Sequence, residues 1–401
     1  MLTGVHPYDL GIVSREGRIP EGAPRLARLL NEAGYQTGAF VDSSRQGFVG
    51  AERGFAVGFE TYVHSTETQA AARREHEHDA RATAEAALAW LAARQRDRPF
   101  FLFVHTKSVH TVPAPESARH ERGFPYDQPP PYRFRFLPER AAGFTWRGPG
   151  GVGAGFLAEV NQRIRRGAQA PEAFPERALD ELAALYDAGI VFVDDQVGRL
   201  LDGLDRDGSA AETVVVVTSD HGEAFLDHRQ FLHEEVYEPL IRVPLIVRLP
   251  GQEEGRSVPG PVELMDLVPT LVGLAGLEPP EGLDGVPLPL AEGPAAAGGA
   301  RPVFAHYQKG SGRGRYQAFS LREGHWKLVV HNLGAEKLRQ ELYHLGRDPG
   351  ERHPVTGEER IRRRLARALR TRLEAEPRFG AATVELSDET IERLRALGYV
   401  E

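Results

Sequence analysis

The sequence contains no cysteine among its 401 residues. That absence removes disulfides, thiolate metal sites and a cysteine nucleophile from the chain, and it leaves the redox compartment undetermined. No apolar run reaches the roughly 18–20 residues that a membrane-spanning helix needs. The first residues, Met1-Leu2-Thr3-Gly4-Val5-His6-Pro7, have neither a basic n-region nor an apolar h-region, so they do not read as a signal peptide and the compartment stays unassigned. A basic excess is missing too: 49 Lys and Arg face 57 Asp and Glu, a net charge of −8. This argues against a nucleic-acid partner, whose footprint is basic, but not against a small anionic substrate met by a locally positive site. What is present, 41% hydrophobic and 26% charged residues over this length, is enough for a large buried core and for two or three domains.

The most informative stretch is Thr213-Val214-Val215-Val216-Val217-Thr218-Ser219-Asp220-His221-Gly222-Glu223. A short β-branched run bounded by polar residues reads as a buried strand, and the Asp-His-Gly that ends it lies where α/β sheets keep their chemistry. Asp220 offers a hard carboxylate oxygen and His221 an imidazole nitrogen, half of a divalent-metal site, with Gly222 letting the backbone turn beneath the ion. The same pair also serves simply to shape a strand-to-loop turn, and spacing alone does not separate the two readings.

Along the chain, Leu26, Leu29, Leu30 and Ala33 mark a helix stopped by Gly34, followed by a strand over 35–41. An Ala-rich helix over 75–96 precedes a second strand, Phe100 to His105, that runs into Thr106-Lys107-Ser108-Val109-His110. His76 and His78 near the start of that helix read as solvated. Residues 111–175, rich in Pro, Gly, Arg and aromatics, read as an irregular insertion assigned to substrate selection. Leu182, Leu185, Ile190, Val193, Val197, Leu200 and Leu204 predict one amphipathic helix leading into the Val-rich strand. Beyond a low-complexity linker at 291–300, Gln317–Leu321, Trp326–Val330 and Glu341–Tyr343 read as antiparallel strands, and Ile361–Leu373 as an Arg-rich helix with its arginines in solvent. Residues 386–400 form a short amphipathic tail.

Several of these segments, in order, resemble one family. Thr218-Ser219-Asp220-His221-Gly222-Glu223, then His233-x-x-x-Tyr237-Glu238 and Arg242-Val243-Pro244, resemble the second conserved region of the sulfatases of the alkaline phosphatase superfamily. So do Leu2-Thr3-Gly4, the Gly34-Tyr35-x-Thr37 strand, the Asp266-Leu267-x-Pro269-Thr270-Leu271 and Leu283-Asp284-Gly285 landmarks, and Glu341-Leu342-Tyr343. Asp266 and Gly285 read as structural, the first a helix N-cap and the second a turn residue.

The resemblance implies an alkaline phosphatase-like α/β fold: a mixed, mostly parallel sheet with helices on both faces over 1–290, and a small C-terminal α+β subdomain with an antiparallel sheet over 301–401. It implies hydrolysis of small-molecule or carbohydrate sulfate esters at a divalent-metal site, with Ca²⁺ as the expected ion. Asp220 and His221 match metal ligands. His233 matches a basic residue that stabilises charge on the bridging oxygen. His110 matches a sulfate contact and candidate general acid, work suited to an imidazole, and Lys107 is a further anion contact. Val41-Asp42-Ser43-Ser44 stands where many arylsulfatases carry an anion-binding Gly-Lys-Trp-His, so this region departs from the pattern.

The family's nucleophile, a formylglycine made from Cys or Ser in the motif Cys/Ser-x-Pro-x-Arg, is absent from this sequence, as are its two N-terminal Asp ligands. The chain as written is therefore expected to be inactive, and to leave two strand edges unpaired inside its core, with Met1 read as an internal methionine of a longer protein. A phosphoesterase or phosphonate hydrolase of the same superfamily and a non-catalytic anion-binding protein are the competing readings.

Overall fold

The computed structural model of the chain describes residues 1–12, 17–64, 80–111, 126, 128–137, 154–171, 174–290, 301–309, 316–332 and 338–380. The readings of His76 and His78, of the 291–300 linker and of the 386–400 tail lie outside these residues. In chain order the helices are α1 (Leu26–Glu32), α2 (Ala80–Ala93), α3 (Ala154–Arg165), α4 (Glu176–Asp207), α5 (Glu238–Ile241), α6 (Leu267–Leu274) and α7 (Glu359–Glu374). The strands are β1 (Gln36–Val41), β2 (Thr61–His64), β3 (Phe100–His105), β4 (Val215–Thr218), β5 (Ala224–Phe225), β6 (Phe231–Leu232), β7 (Leu245–Arg248), β8 (Val303–Lys309), β9 (Tyr316–Glu323), β10 (Trp326–Asn332) and β11 (Leu338–His344). Two compact units share them: Met1–Ala33 with Val214–Gly222 and His233–Val384, and Gly34–Thr213 with Glu223–Leu232 and Glu385–Glu401.

The second of these units is built on a parallel sheet of order β2-β1-β3, in which Val41 is level with both His64 and His105. The central strand β1 is the buried one, and it carries Gly38 because an added Cβ there would come within 2.7 Å of the Trp90 indole of α2. Helix α2 is tied to the end of α4 by a 2.5 Å ion pair between Arg94 and Asp207, both nearly buried. Helix α4 closes at Gly208 in the left-handed region, φ 80°, a conformation glycine adopts without a Cβ penalty. Its buried stripe runs through Leu182, Leu185, Ala188, Gly189 and Phe192. Ile190 is 46% exposed, one position off that stripe, where the sequence pattern had set it inward. Residues 154–165 fall in the stretch whose composition reads as irregular, yet they form α3. Leu157, Val160 and Ile164 recur at helical spacing and pack with Leu182, Leu185, Phe174 and Phe231.

The first unit contains β4 paired antiparallel with β7, Thr218 opposite Leu245. Among the described residues β4 bonds only to β7, and β3 of the other unit only to β1. Both read from sequence as buried strands, and both are half-buried along their length. Asp266 holds the expected N-cap position of α6 but makes no side-chain cap bond there; its carboxylate is the third position of a capping box on the short helix 264–266, whose cap is Glu263, and reaches back to the Glu263 N–H at 2.8 Å. The same carboxylate accepts from Val286 N–H at 2.9 Å and from Arg301 at 2.5 and 2.6 Å. Gly285 is required there because a Cβ would lie 2.2 Å from the Met265 carbonyl oxygen.

The C-terminal part of this unit is an antiparallel sheet of order β11-β10-β9-β8. Its side chains alternate between two cores, as the two-residue period of a strand dictates. Leu328, Val330, Leu342 and Phe319 face Leu365 and Leu369 of α7, while Ala318, Val329 and Tyr343 face Val236 and Tyr237.

His6 and His306 are set into the first of those faces. Their rings are 5.4 Å apart, and each lies beside Phe304, at 4.7 and 6.2 Å. The His6 Nδ1 accepts the Tyr8 backbone N–H at 3.2 Å. Burial, with the Arg372 guanidinium adding to it, lowers His306 to about 4, and burial, His306 and Arg372 lower His6 to about 3 against the opposing pull of Asp9. In the unfolded chain these imidazoles take up protons below about pH 6.5, whereas in the fold they resist until far lower pH. Stability therefore falls as pH drops through that window, by on the order of 3–5 kcal/mol for each fully developed shift. Calorimetry at descending pH is expected to show Tm falling between about 6.5 and 4, with a shallower slope in His306→Phe, which keeps the aromatic stack and removes the titrating ring.

Candidate functional site

The Asp-His turn is assembled from backbone groups. Where β4 ends, the Ser219 hydroxyl donates to the His221 carbonyl at 2.7 Å, and the His221 N–H donates to the Asp220 Oδ1 at 3.0 Å. The His221 Nδ1 lies 2.9 Å from the Gly222 carbonyl oxygen. A carbonyl only accepts, so Nδ1 carries the proton and Nε2 carries the lone pair, the usual arrangement by which a backbone group sets the tautomer of a metal-ligating histidine. Nε2 in turn is 3.8 Å from the Asp220 Oδ2, and both side chains are open to solvent, at 36% and 64%. Two bonds of about 2.1–2.5 Å to one cation span that separation, so this carboxylate and imidazole fit a shared divalent metal.

Gly222 serves a different purpose from the turn expected of it. Its φ is not positive; instead its backbone meets α5 face to face. The Gly222 N–H donates to the Leu240 carbonyl at 2.8 Å, and a Cβ would stand 2.0 Å from the Pro239 carbonyl oxygen. Any larger residue separates the turn from the helix.

His233 follows β6 and precedes α5, and the structure brings it to His221: the ring centroids are 4.1 Å apart and the planes only 21° from parallel. Leu226, His228, Arg229 and Leu232, in the connection between the two histidines, all have positive φ, from 48 to 72°. Each such non-glycine residue costs on the order of 1 kcal/mol or more, and clusters of them mark segments whose shape is imposed by their surroundings. Here the imposing contact is Asn161, whose amide accepts the Phe231 N–H and donates to the Phe231 carbonyl, both at 2.7 Å.

His110 and Lys107 belong to the other unit, in the loop that leaves the carboxyl end of β3. The Lys107 backbone N–H donates to the Asp42 Oδ2 at 3.3 Å, and Asp42, fully buried at the end of β1, takes the His105 carbonyl with its own N–H at 2.9 Å. The loop is also held at Ser108, whose hydroxyl accepts the Ala80 N–H at the start of α2, and whose carbonyl accepts from Gln128. Gly189 of α4 leaves the room for this, since a Cβ would lie 3.0 Å from the Gln128 amide nitrogen. The His110 Nδ1 is 2.7 Å from the Thr111 carbonyl, so His110, like His221, has its tautomer fixed with the lone pair on Nε2. The Lys107 ammonium lies 5.7 Å from the Phe48 ring centre. His64, which nothing in the sequence singles out, ends β2 level with Val41 and accepts the Ala51 N–H at 3.2 Å. Its strand is four residues long, too short for its polar end to be placed in advance.

Comparisons with known proteins identify the family. The family described as Sulfatase matches residues 1–277, and the family described as N-sulphoglucosamine sulphohydrolase, C-terminal, matches residues 225–378. Arylsulfatase K of Rattus norvegicus is 26% identical over 270 residues, which is 66% of this chain and 47% of the relative. Arylsulfatase K of Homo sapiens is 30% identical over 183 residues, 44% of this chain and 34% of the relative. The chain thus spans about half the length of the curated relatives it matches. Among solved structures, a phosphonate monoester hydrolase of Agrobacterium radiobacter superposes with a TM-score of 0.67 at 20% identity, covering 97% of this chain and 88% of that one. A 2-O GAG sulfatase superposes at 0.63 and 20% identity, covering 99% and 84%. These likenesses establish an alkaline phosphatase-like fold, a parallel sheet with helices joined to a C-terminal antiparallel sheet. With the family pattern covering residues 1–277 of the 401, the chain belongs to the sulfatase family.

Proposed function

We propose that this protein hydrolyses sulfate esters, of small molecules or carbohydrates, with Asp220 and His221 holding a divalent cation, His233 beside them, and His110 and Lys107 contacting the sulfate group. The observation that carries the reading is the Asp220–His221 turn: a carboxylate oxygen and an imidazole Nε2 lie 3.8 Å apart, with the tautomer set by Gly222 and a second imidazole stacked on the ring. When bound, the cation, for which Ca²⁺ is the proposed identity, supplies positive charge against the sulfate oxygens. The chain's own residues do the rest. His233, held by its stack on His221, meets the charge that builds on the bridging oxygen, and a cationic group there acts on the transition state more than on the ground state. His110 keeps Nδ1–H on the Thr111 carbonyl, so it serves the sulfate and the leaving alcohol in its imidazolium form, with the donated proton on Nε2, and Lys107 adds a fixed positive charge for the anion.

The formylglycine nucleophile belongs to the family. Neither a cysteine nor a Ser-x-Pro-x-Arg motif occurs in these 401 residues, so the proposal for them alone is metal and sulfate binding without turnover. Measurable hydrolysis of an aryl sulfate by the 401 residues is the result that removes that part of the reading. Faster hydrolysis of a phosphonate monoester than of the sulfate moves the substrate class to the phosphonates.

Two further outcomes are expected. Long-range ¹H–¹⁵N spectra of the histidine rings show His221 and His110 as Nδ1–H tautomers; an Nε2–H pattern on His221 is incompatible with metal binding through that atom. Added Ca²⁺ raises Tm, by mass action worth about 2.7 kcal/mol at a hundredfold excess over Kd. Asp220→Asn and His221→Ala each abolish that rise, and a wild-type Tm indifferent to Ca²⁺ and to Mn²⁺ refutes the metal site.

A further inference from the structure

We propose that the C-terminal antiparallel sheet is the positioning frame of the His221–His233 pair, acting through a ladder of charges on residues 234–238 in which Lys309 and Glu234 are the pair next to His233. The inference rests on the functional reading above for its purpose and on contacts within one unit for its substance.

Residues 233–238 read His-Glu-Glu-Val-Tyr-Glu, a segment with three carboxylates that an exposed loop would leave in water. All three turn inward. Glu234 is 3% exposed and its carboxylate meets the Lys309 ammonium, at the end of β8, at 2.5 Å. Glu235 accepts the Tyr316 hydroxyl of β9 and lies 3.5 Å from the His331 Nδ1 of β10. Glu238 meets the Lys327 ammonium of β10 at 3.0 Å, while its backbone N–H donates to the Glu351 carboxylate at 2.6 Å. Between the charges, Val236 and Tyr237 are buried against Ala318, Val329 and Tyr343, and the Tyr237 hydroxyl donates to Glu341 of β11 at 2.5 Å. Each of the four strands therefore supplies at least one polar partner to this segment.

A carboxylate buried to this degree is tolerated only with a charged or hydrogen-bonding partner in place, so each acid fixes the strand position of the residue that carries it. The frame then reaches both histidines. His233 precedes Glu234 directly, and Glu238 begins α5, whose Leu240 carbonyl accepts the Gly222 N–H and whose Pro239 carbonyl abuts that glycine, fixing the Asp220–His221 turn. The half-buried ring pair has a buried foundation.

The prediction for Lys309 and Glu234 is a positional one. In Lys309→Met, which keeps the apolar stem and removes the charge, Glu234 loses its partner and the segment lifts from the sheet. The side-chain signals of His221 and His233, assigned by His233→Gln, lose the mutual ring-current displacement of stacked rings and move toward unstacked positions. Amide exchange at Val236 and Tyr237 accelerates by about tenfold or more, as expected for a segment that opens locally while the unit stays folded. Lys309→Arg restores both readouts, and Glu234→Gln, isosteric and neutral, provides the reciprocal variant if Lys309→Met does not fold. The His6 and His306 signals, on the α7 side of the sheet, stay in place and report that the core is intact. These readouts need neither turnover nor metal, so they stand or fall apart from the sulfatase reading. Unchanged His221 and His233 signals in a folded Lys309→Met or Glu234→Gln protein, whatever the change in Tm, overturn the proposal.

Discussion

The structure around the site depends on one buried ion cluster, the Lys327 ammonium between the Glu238 and Glu351 carboxylates. Lys327 is fully buried, with Glu238 at 3.0 Å and Glu351 at 2.8 Å. Removing such an ammonium from water costs several kcal/mol unless fixed partners replace the solvent, and here both partners are acids held by the chain around them. Burial raises Glu351, and the Lys327 charge and the Glu238 N–H work against that rise. Glu351 takes positive φ, 54°, which is what it takes for its carboxylate to reach the first turn of α5. The cluster thus joins sheet, helix and site turn at one point.

Above that foundation the site is governed by backbone carbonyls. Gly222 and Thr111 each accept from the Nδ1 of the preceding histidine, and each thereby decides which nitrogen of His221 and His110 carries a lone pair. The same device works in both units with different local folds, a turn after β4 in one and a loop after β3 in the other. The network beneath Tyr237 works by side chains instead. Burial pushes the Glu341 carboxyl up, but hydrogen bonds from His331 and Tyr237 and the Arg339 charge outweigh it and hold it at about 2, so it is an ionised acceptor at neutral pH.

Much of this was legible in the sequence because it is local. The run Val214–Val217 and the Asp-His-Gly after it, the stop at Gly34 and the helix at 361–373 all follow from adjacent residues, and the order of motifs carried the family. The Lys309–Glu234 and Lys327–Glu238 pairs were not legible, since nothing in a glutamate's neighbours tells whether a lysine 75 or 89 residues away will meet it. Helix α3 hid for a related reason: its buried apolar positions, Leu157, Val160 and Ile164, lie in a stretch rich in Gly and Arg, and it is the long face of α4 that makes them a core. Gly222 was assigned to a turn because glycine's commonest use is positive φ; the close approach of Pro239 is a tertiary fact. Asp266 is legible as the N-cap position of α6, but the bond of its carboxylate to the Glu263 N–H depends on the short helix before it.

The span of those contacts has a consequence for how the protein comes into being. The partners of residues 234–238 lie 75 to 113 positions further on. Contacts of that sequence separation form slowly, because the loop entropy has to be met before they reward it. On the ribosome, His221 and His233 emerge early, yet they have no platform until Glu351 has left the exit tunnel and the antiparallel sheet has closed. The support beneath the His221–His233 pair is therefore among the last parts of its unit to be completed.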